Sequence, residues 1–159
     1  MSIPHTQLDQ QPDDGTHSSR VFEQALRSLP GLVAEPSRIS VPGAKALVLE
    51  DAVPRGPLEA FMIDREFAHV HPGDDHSLHL TLPLDLAREA QQTGWAEPHF
   101  LVASGALPAT VVMVYAPRDR HEREVVLTLL RASYTYATST VEAGPEFASP
   151  RTPGPADTQ

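Results

Sequence analysis

Cysteine is absent from the 159 residues, and with it go disulfides, iron–sulfur clusters, thiolate-held zinc and cysteine nucleophiles. A chain without disulfides suits a reducing compartment, so a cytoplasmic location is expected. Aromatic residues are sparse at 6%, with a single tryptophan, Trp95. Lysine is nearly missing, since Lys45 stands alone beside eleven arginines. Acidic residues outnumber basic ones and the formal net charge is −9. That balance argues against a nucleic-acid partner, which needs a basic stripe. No apolar run approaches the ~18 residues that span a bilayer. The first fourteen residues hold no hydrophobic signal stretch either, so no membrane partner is expected.

What is present suits one domain. The chain is 40% hydrophobic and 21% charged, an ordinary globular balance at a length that can bury a core without staples. Residues 1–17, with Gln-Gln-Pro-Asp-Asp-Gly, read as a disordered arm that carries His5 and His17. Residues 142–159, with four prolines among small polar residues, read as a disordered tail. The domain expected between them is 18–141.

Its periodicities predict elements. Phe22, Ala25, Leu26 and Leu29 recur at helical spacing, with Ser18 or Ser19 as cap and Pro30-Gly31 as stop. Strands are expected over 38–41, 44–49, 59–63, 67–71, 77–82 and 110–115, and a helix over 84–93. A last helix starts near Pro117 or Arg118, and Val126, Leu129, Leu130, Tyr134 and Ala137 form its core stripe. Early hairpin-length links and the lack of strand–helix alternation point to an α+β fold. A mainly antiparallel sheet packed against about three helices is expected.

Histidine is the abundant chemistry. Five of eight histidines fall between 69 and 99. Strand side chains alternate faces, so Phe67, His69 and His71 should share one face and Ala68 and Val70 the other. In the next strand Ser77, His79 and Thr81 oppose Leu78, Leu80 and Leu82. Pairing residue 71 with 77 across the Pro72–His76 loop sets His69 opposite His79, with Cβ atoms ~5 Å apart. A one-residue slip would bring leucines to the polar side, and that fixes the register. Three readings stay open. The face is a solvated histidine-rich surface; or His69, His71 and His79 hold a metal ion through imidazole nitrogens; or one histidine is a general base near neutral pH. Asp74, Asp75, Glu66 and Glu97 are the nearby carboxylates, and solvation is the default for each.

Two further stretches stand out. Gly94-Trp95-Ala96-Glu97-Pro98-His99 reads as a loop between a helix and a strand, where function often sits. Trp95 can equally be a core plug there. Tyr115-Ala-Pro-Arg118 sets a cation at a helix start, against the dipole, which hints at an acidic ligand.

Taken in order, Arg65-Glu66-Phe67-Ala68-His69-Val70-His71, Ser77-Leu78-His79-Leu80, Thr93-Gly94-Trp95 with His99, and Tyr115-Ala-Pro-Arg118 resemble the luciferases of bioluminescent fungi. The resemblance covers roughly 38–137, and bacterial luciferase-domain proteins share its His-x-His and Glu-Pro-His parts. It implies a role in secondary metabolism as an oxygenase that adds dioxygen to a small enolisable or phenolic, pyrone-like substrate. No organic cofactor beyond dioxygen is implied, a metal ion stays possible, and light emission is not expected. Carried over, His69, His71, His79 and His99 would be catalytic. Trp95, Tyr115, Arg118, Asp75 and Glu97 would bind substrate. The loop 72–76 departs from the fungal pattern, and that bears on which substrate fits.

Overall fold

The computed structural model describes residues 15–73 and 75–140. The expected tail, and the expected arm up to residue 14, lie outside the described residues. Six strands form one antiparallel sheet: β1 (Leu32–Pro36), β2 (Lys45–Leu49), β3 (Glu66–Val70), β4 (Leu78–Thr81), β5 (Ala96–Pro98) and β6 (Val111–Val114). Their spatial order is β1-β2-β3-β4-β6-β5. The helices are α1 (Thr16–Ser28), α2 (Leu84–Gln92), α3 (Phe100–Ala103) and α4 (Arg120–Thr138). This is the α+β architecture that the sequence pattern predicts, with the short α3 added.

One sheet face packs on α1 and α4. Leu47, Leu49, Ala68, Leu78, Leu80, Val112 and Val114 join Val21, Phe22, Val126 and Leu130 in the main core. Each fully buried leucine there is worth about 1.5–3 kcal/mol. Ser18 is buried but does not cap α1; its hydroxyl donates to the His76 carbonyl at 2.6 Å, tying the helix to the β3–β4 loop. The helix itself starts at Thr16 behind Gly15, so His17 lies within it. At the other end Asp119 caps α4, accepting from the Glu122 N–H at 2.8 Å.

Three expectations are corrected. Residues 38–41 are not a strand; the strand is Leu32–Pro36, and 37–44 is the loop of the β1–β2 hairpin. The Ser37 hydroxyl accepts from the N–H groups of Ile39 and Ser40, which satisfies donors that a strand would have used and bends the chain. Residues 59–63 do not form a strand either: Leu58–Ala60 is a 3₁₀ turn. There Thr110 and Thr81 donate hydroxyls to the Glu59 and Ala60 carbonyls, replacing ladder bonds. Finally Ala96–Pro98, expected as loop, is the edge strand β5, where a proline is tolerated.

The fourth departure shapes the site. β2 and β3 pair Leu47 with Ala68 but Val48 with Glu66, so Phe67 is an extra residue in β3. Such a bulge shifts the alternation of side chains by one. Phe67 therefore leaves the histidine face that strict alternation gave it and packs in the main core, edge-on to Tyr134 of α4 at 6.3 Å. Glu66 turns to the histidine face instead.

Candidate functional site

The second sheet face carries the histidines. β3 and β4 pair His69 with His79, and the His71 N–H donates to the Ser77 carbonyl at 2.9 Å, which is the register that alternation predicts. His79 in turn pairs with the buried Met113 of β6. This face is covered by the 37–44 loop and by the segment that includes α3. His99 is the N-cap of α3, so it folds back over the sheet. Ring centroids lie 4.0 Å apart for His71 and His79, 4.8 Å for His69 and His79, and 5.0 Å for His79 and His99. All four rings are buried. A solvated histidine surface is thereby excluded.

His69, His71 and His99 each have a specific polar partner. Glu66 is 1% exposed, and its carboxylate takes three donors. The Ser37 hydroxyl donates at 2.7 Å and the Arg38 N–H at 3.0 Å, and His69 Nδ1 stands 3.0 Å away. Burial alone would push this carboxyl up. The hydrogen bonds from His69, Ser37 and Arg38, with the charge attraction of His69, outweigh burial and hold it below its ordinary value. An ionised Glu66 fixes the proton of a neutral His69 on Nδ1 and leaves Nε2 as the ring's acceptor. His71 also has a carboxylate beside it, with Nδ1 within ion-pair distance of Asp75 at 3.0 Å and Nε2 3.1 Å from the Ser40 hydroxyl. The loop that returns Asp75 uses left-handed backbone at Gly73 (φ 73°) and His76 (φ 39°). His99 is the opposite case. Its Nδ1 accepts the Leu101 N–H at 3.1 Å, so a neutral ring carries its proton on Nε2 and is a donor.

The four histidines line a cavity of about 330 Å³ whose other walls are Ile39, Ser40, Val41, Phe100 and Leu101. Val41 and Phe100 are 49% and 47% exposed, rare for large apolar side chains in this protein, and they form its rim. Phe100 lies stacked on His99 at 4.6 Å. The site thus has a polar, histidine-lined floor and an apolar mouth.

Not every residue singled out in the sequence joins this cavity. Asp75 does, through His71. Trp95, Tyr115 and Arg118 line a second hollow of about 220 Å³ with Glu122. Arg118 is not left bare at the helix start: its guanidinium forks onto Glu122 at 2.7 and 2.8 Å. Trp95 packs half-buried against the main core, facing His121. Glu97 accepts the Tyr115 hydroxyl at 3.0 Å. Desolvation, the hydrogen bond to Glu97 and its negative charge together push the Tyr115 phenol up to about 12. The phenolate absorbance of Tyr115, isolated by subtracting a Tyr115→Phe chain, should therefore appear only near pH 12, and Glu97→Gln should move it back toward 10. A native Tyr115 titrating at 10 already would contradict this contact.

Ile39, Ser40, Val41, Phe100 and Leu101 are the cavity residues that sequence reasoning passed over, while Glu66 was named only as a nearby carboxylate with solvation as its default. Phe100 directly after His99 was the one readable signal among them.

Residues 64–133 match the family model described as the luciferase domain, and this segment holds all four histidines. Over this segment the chain is similar to luciferase-domain proteins. The luciferase of Neonothopanus nambi is 34% identical over 105 residues, 60% of this chain and 39% of that protein. The luciferase of Armillaria mellea is 36% identical over 77 residues, 47% of this chain and 29% of that protein. The chain spans well under half the length of these curated relatives. No solved structure matches it. No helix among the described residues is long and apolar enough to cross a membrane.

Proposed function

We propose that this protein is an oxygenase that adds dioxygen to a small enolisable or phenolic substrate held in the histidine cavity. The observation that carries the reading is the buried four-histidine floor beneath an apolar mouth, inside the segment that matches the family. A cavity of about 330 Å³ lies at the small end of small-molecule sites. The ring of such a substrate fits between Val41 and Phe100, with its acidic oxygen directed at the floor.

The residues supply two complementary groups. His69, backed by Glu66, offers Nε2 to accept the enol or phenol proton. His99 offers Nε2–H to the resulting oxygen anion, which stabilises the enolate. The enolate is electron-rich enough to pass one electron to dioxygen. Recombination of the two radicals forms the new C–O bond, and the peroxide recovers the proton from His69. Substrate plus dioxygen gives a hydroperoxide, and no organic cofactor or other oxidant enters the balance. Emission of light needs a further, chemiexcited decomposition that this scheme does not include, and none is expected.

The test is oxygen uptake by the purified chain with a panel of hydroxypyrones and phenols, with products read by mass spectrometry. One member should consume dioxygen and gain two oxygen atoms. Tight binding of panel members with no uptake by any of them would mean a small-ligand binding domain instead.

A further inference from the structure

We propose that His69, His71 and His79 form the ligand set of a mononuclear site for a divalent first-row transition ion, with His99 standing outside it. The inference goes beyond the oxygenase reading and does not depend on it, because occupancy is measured without substrate.

Three observations support it together. The three histidines are buried, and the ligand atoms they offer lie within 4.8 Å of one another. Two nitrogens bound to one ion at about 2.1 Å and a tetrahedral angle sit roughly 3.4 Å apart. Small rotations of the imidazoles close that gap. Next, two of the three rings have a carboxylate behind them, as metal-binding histidines do, one hydrogen-bonded and one within ion-pair distance. His69 Nδ1 rests on Glu66 and His71 Nδ1 on Asp75, each at 3.0 Å. A carboxylate behind the imidazole fixes its tautomer, aims its other nitrogen forward and raises its basicity. Lastly, the ligand type is selective: three imidazoles with no carboxylate or thiolate among them suit zinc, cobalt, nickel, copper or iron and not magnesium or calcium. Three protein ligands leave coordination positions open toward the cavity, as in catalytic rather than structural sites.

His99 differs in kind. Its Nδ1 is taken by the Leu101 N–H, so Nε2 carries the ring proton and points the wrong charge at a cation. The Ser40 hydroxyl, 3.1 Å from His71 Nε2, is the group that an entering ion would displace. The ion and the enol proton compete for the same His69 lone pair. A loaded site therefore exchanges the base for an electrophile at which the substrate's oxygen can lose its proton.

The experiment uses the full chain, free of any affinity tag and stripped by chelator, titrated with Co(II) and separately with Zn(II). One equivalent of Co(II) should bind, with ligand-field absorption, and the thermal midpoint should rise with ion concentration. His79→Asn and His71→Asn should each remove the absorption, and His99→Ala should keep it. Glu66→Gln should weaken affinity by about 10–100-fold. Should the variants fail to fold, the native chain still decides. In its proton spectrum Co(II) should shift the imidazole signals of His69, His71 and His79 strongly and leave the Trp95 indole nearly unmoved. The proposal is overturned if no saturable equivalent binds, if His79→Asn binds as well as the native chain, or if His99→Ala abolishes binding. Oxygen uptake that persists in chelator would leave the oxygenase reading standing and remove the ion from it.

Discussion

Replacing His69 and His71 together by alanine should lower oxygen uptake by about 10²–10⁴-fold, the span over which a positioned acid–base group usually acts. The reason is geometric. His69 is the ring whose Nδ1 is pinned by Glu66, so its Nε2 is the acceptor that the cavity presents. His71 sits on the same face, 4.0 Å from His79 between ring centroids, and is the second pinned ring. Removing both takes away the two rings with a carboxylate behind them and leaves His79 and the donor His99 on the floor. Substrate affinity should fall much less, because Val41, Phe100 and Leu101 hold the apolar part. Circular dichroism separates loss of chemistry from loss of fold, and a His69→Gln, His71→Gln pair repeats the test with less empty space. Uptake within a few-fold of the native rate would end the assignment of this site.

The second large effect is on stability. Glu66→Ala should cost about 2–4 kcal/mol, because hydrogen bonds to an ionised acceptor contribute about 1.5–3 kcal/mol each and two of the three donors lost here can turn to water. Three donors would lose their acceptor at once: the part-buried Ser37 hydroxyl and Arg38 N–H and the buried His69 ring. Glu66→Gln keeps one oxygen acceptor and should cost clearly less. Urea unfolding monitored by Trp95 fluorescence reads both. The same contacts fix the pH response. Glu66 in the folded chain titrates below the ordinary carboxyl value of 4.5, while in the unfolded chain it keeps that value. Its stabilisation is complete above 4.5 and is lost as pH falls through the lower, folded value. The native chain should thus lose stability on acidification more steeply than Glu66→Gln, and equal slopes would show that Glu66 is not ionised in the fold.

Much of this site was legible in the amino-acid sequence, and the reason is the period of two. Leu78, Leu80 and Leu82 alternate with Ser77, His79 and Thr81, and Ala68 and Val70 alternate with His69 and His71. Both apolar sets had to reach the same core, so the pairing of His69 with His79 followed without any coordinates. Glu66 was hidden for the same reason. Strict alternation sends it to the core side, where a carboxylate has no place, and solvation was the natural default. Only the unpaired Phe67 corrects the count, and a bulge leaves no clear mark in five residues. The 37–44 segment was misread because its apolar residues, Ile39 and Val41, look like a strand yet serve as a cavity wall. Trp95, Tyr115 and Arg118 have motif-like neighbours, but their contacts with the core, Glu97 and Glu122 depend on how β5 meets α4. Spacing along the chain carries no information about that meeting.

The extra residue in β3 also ties together two compartments that a regular strand would keep apart. Phe67 sits among the helices against Tyr134, while its immediate neighbour Glu66 sets the electrostatics of the cavity floor. A substitution on the helix side that displaces Phe67 would therefore act on the peptide unit that also carries Glu66, the carboxylate hydrogen-bonded to His69. Natural variation along the α4 face can in this way retune the reactivity of the floor without changing any residue that lines it.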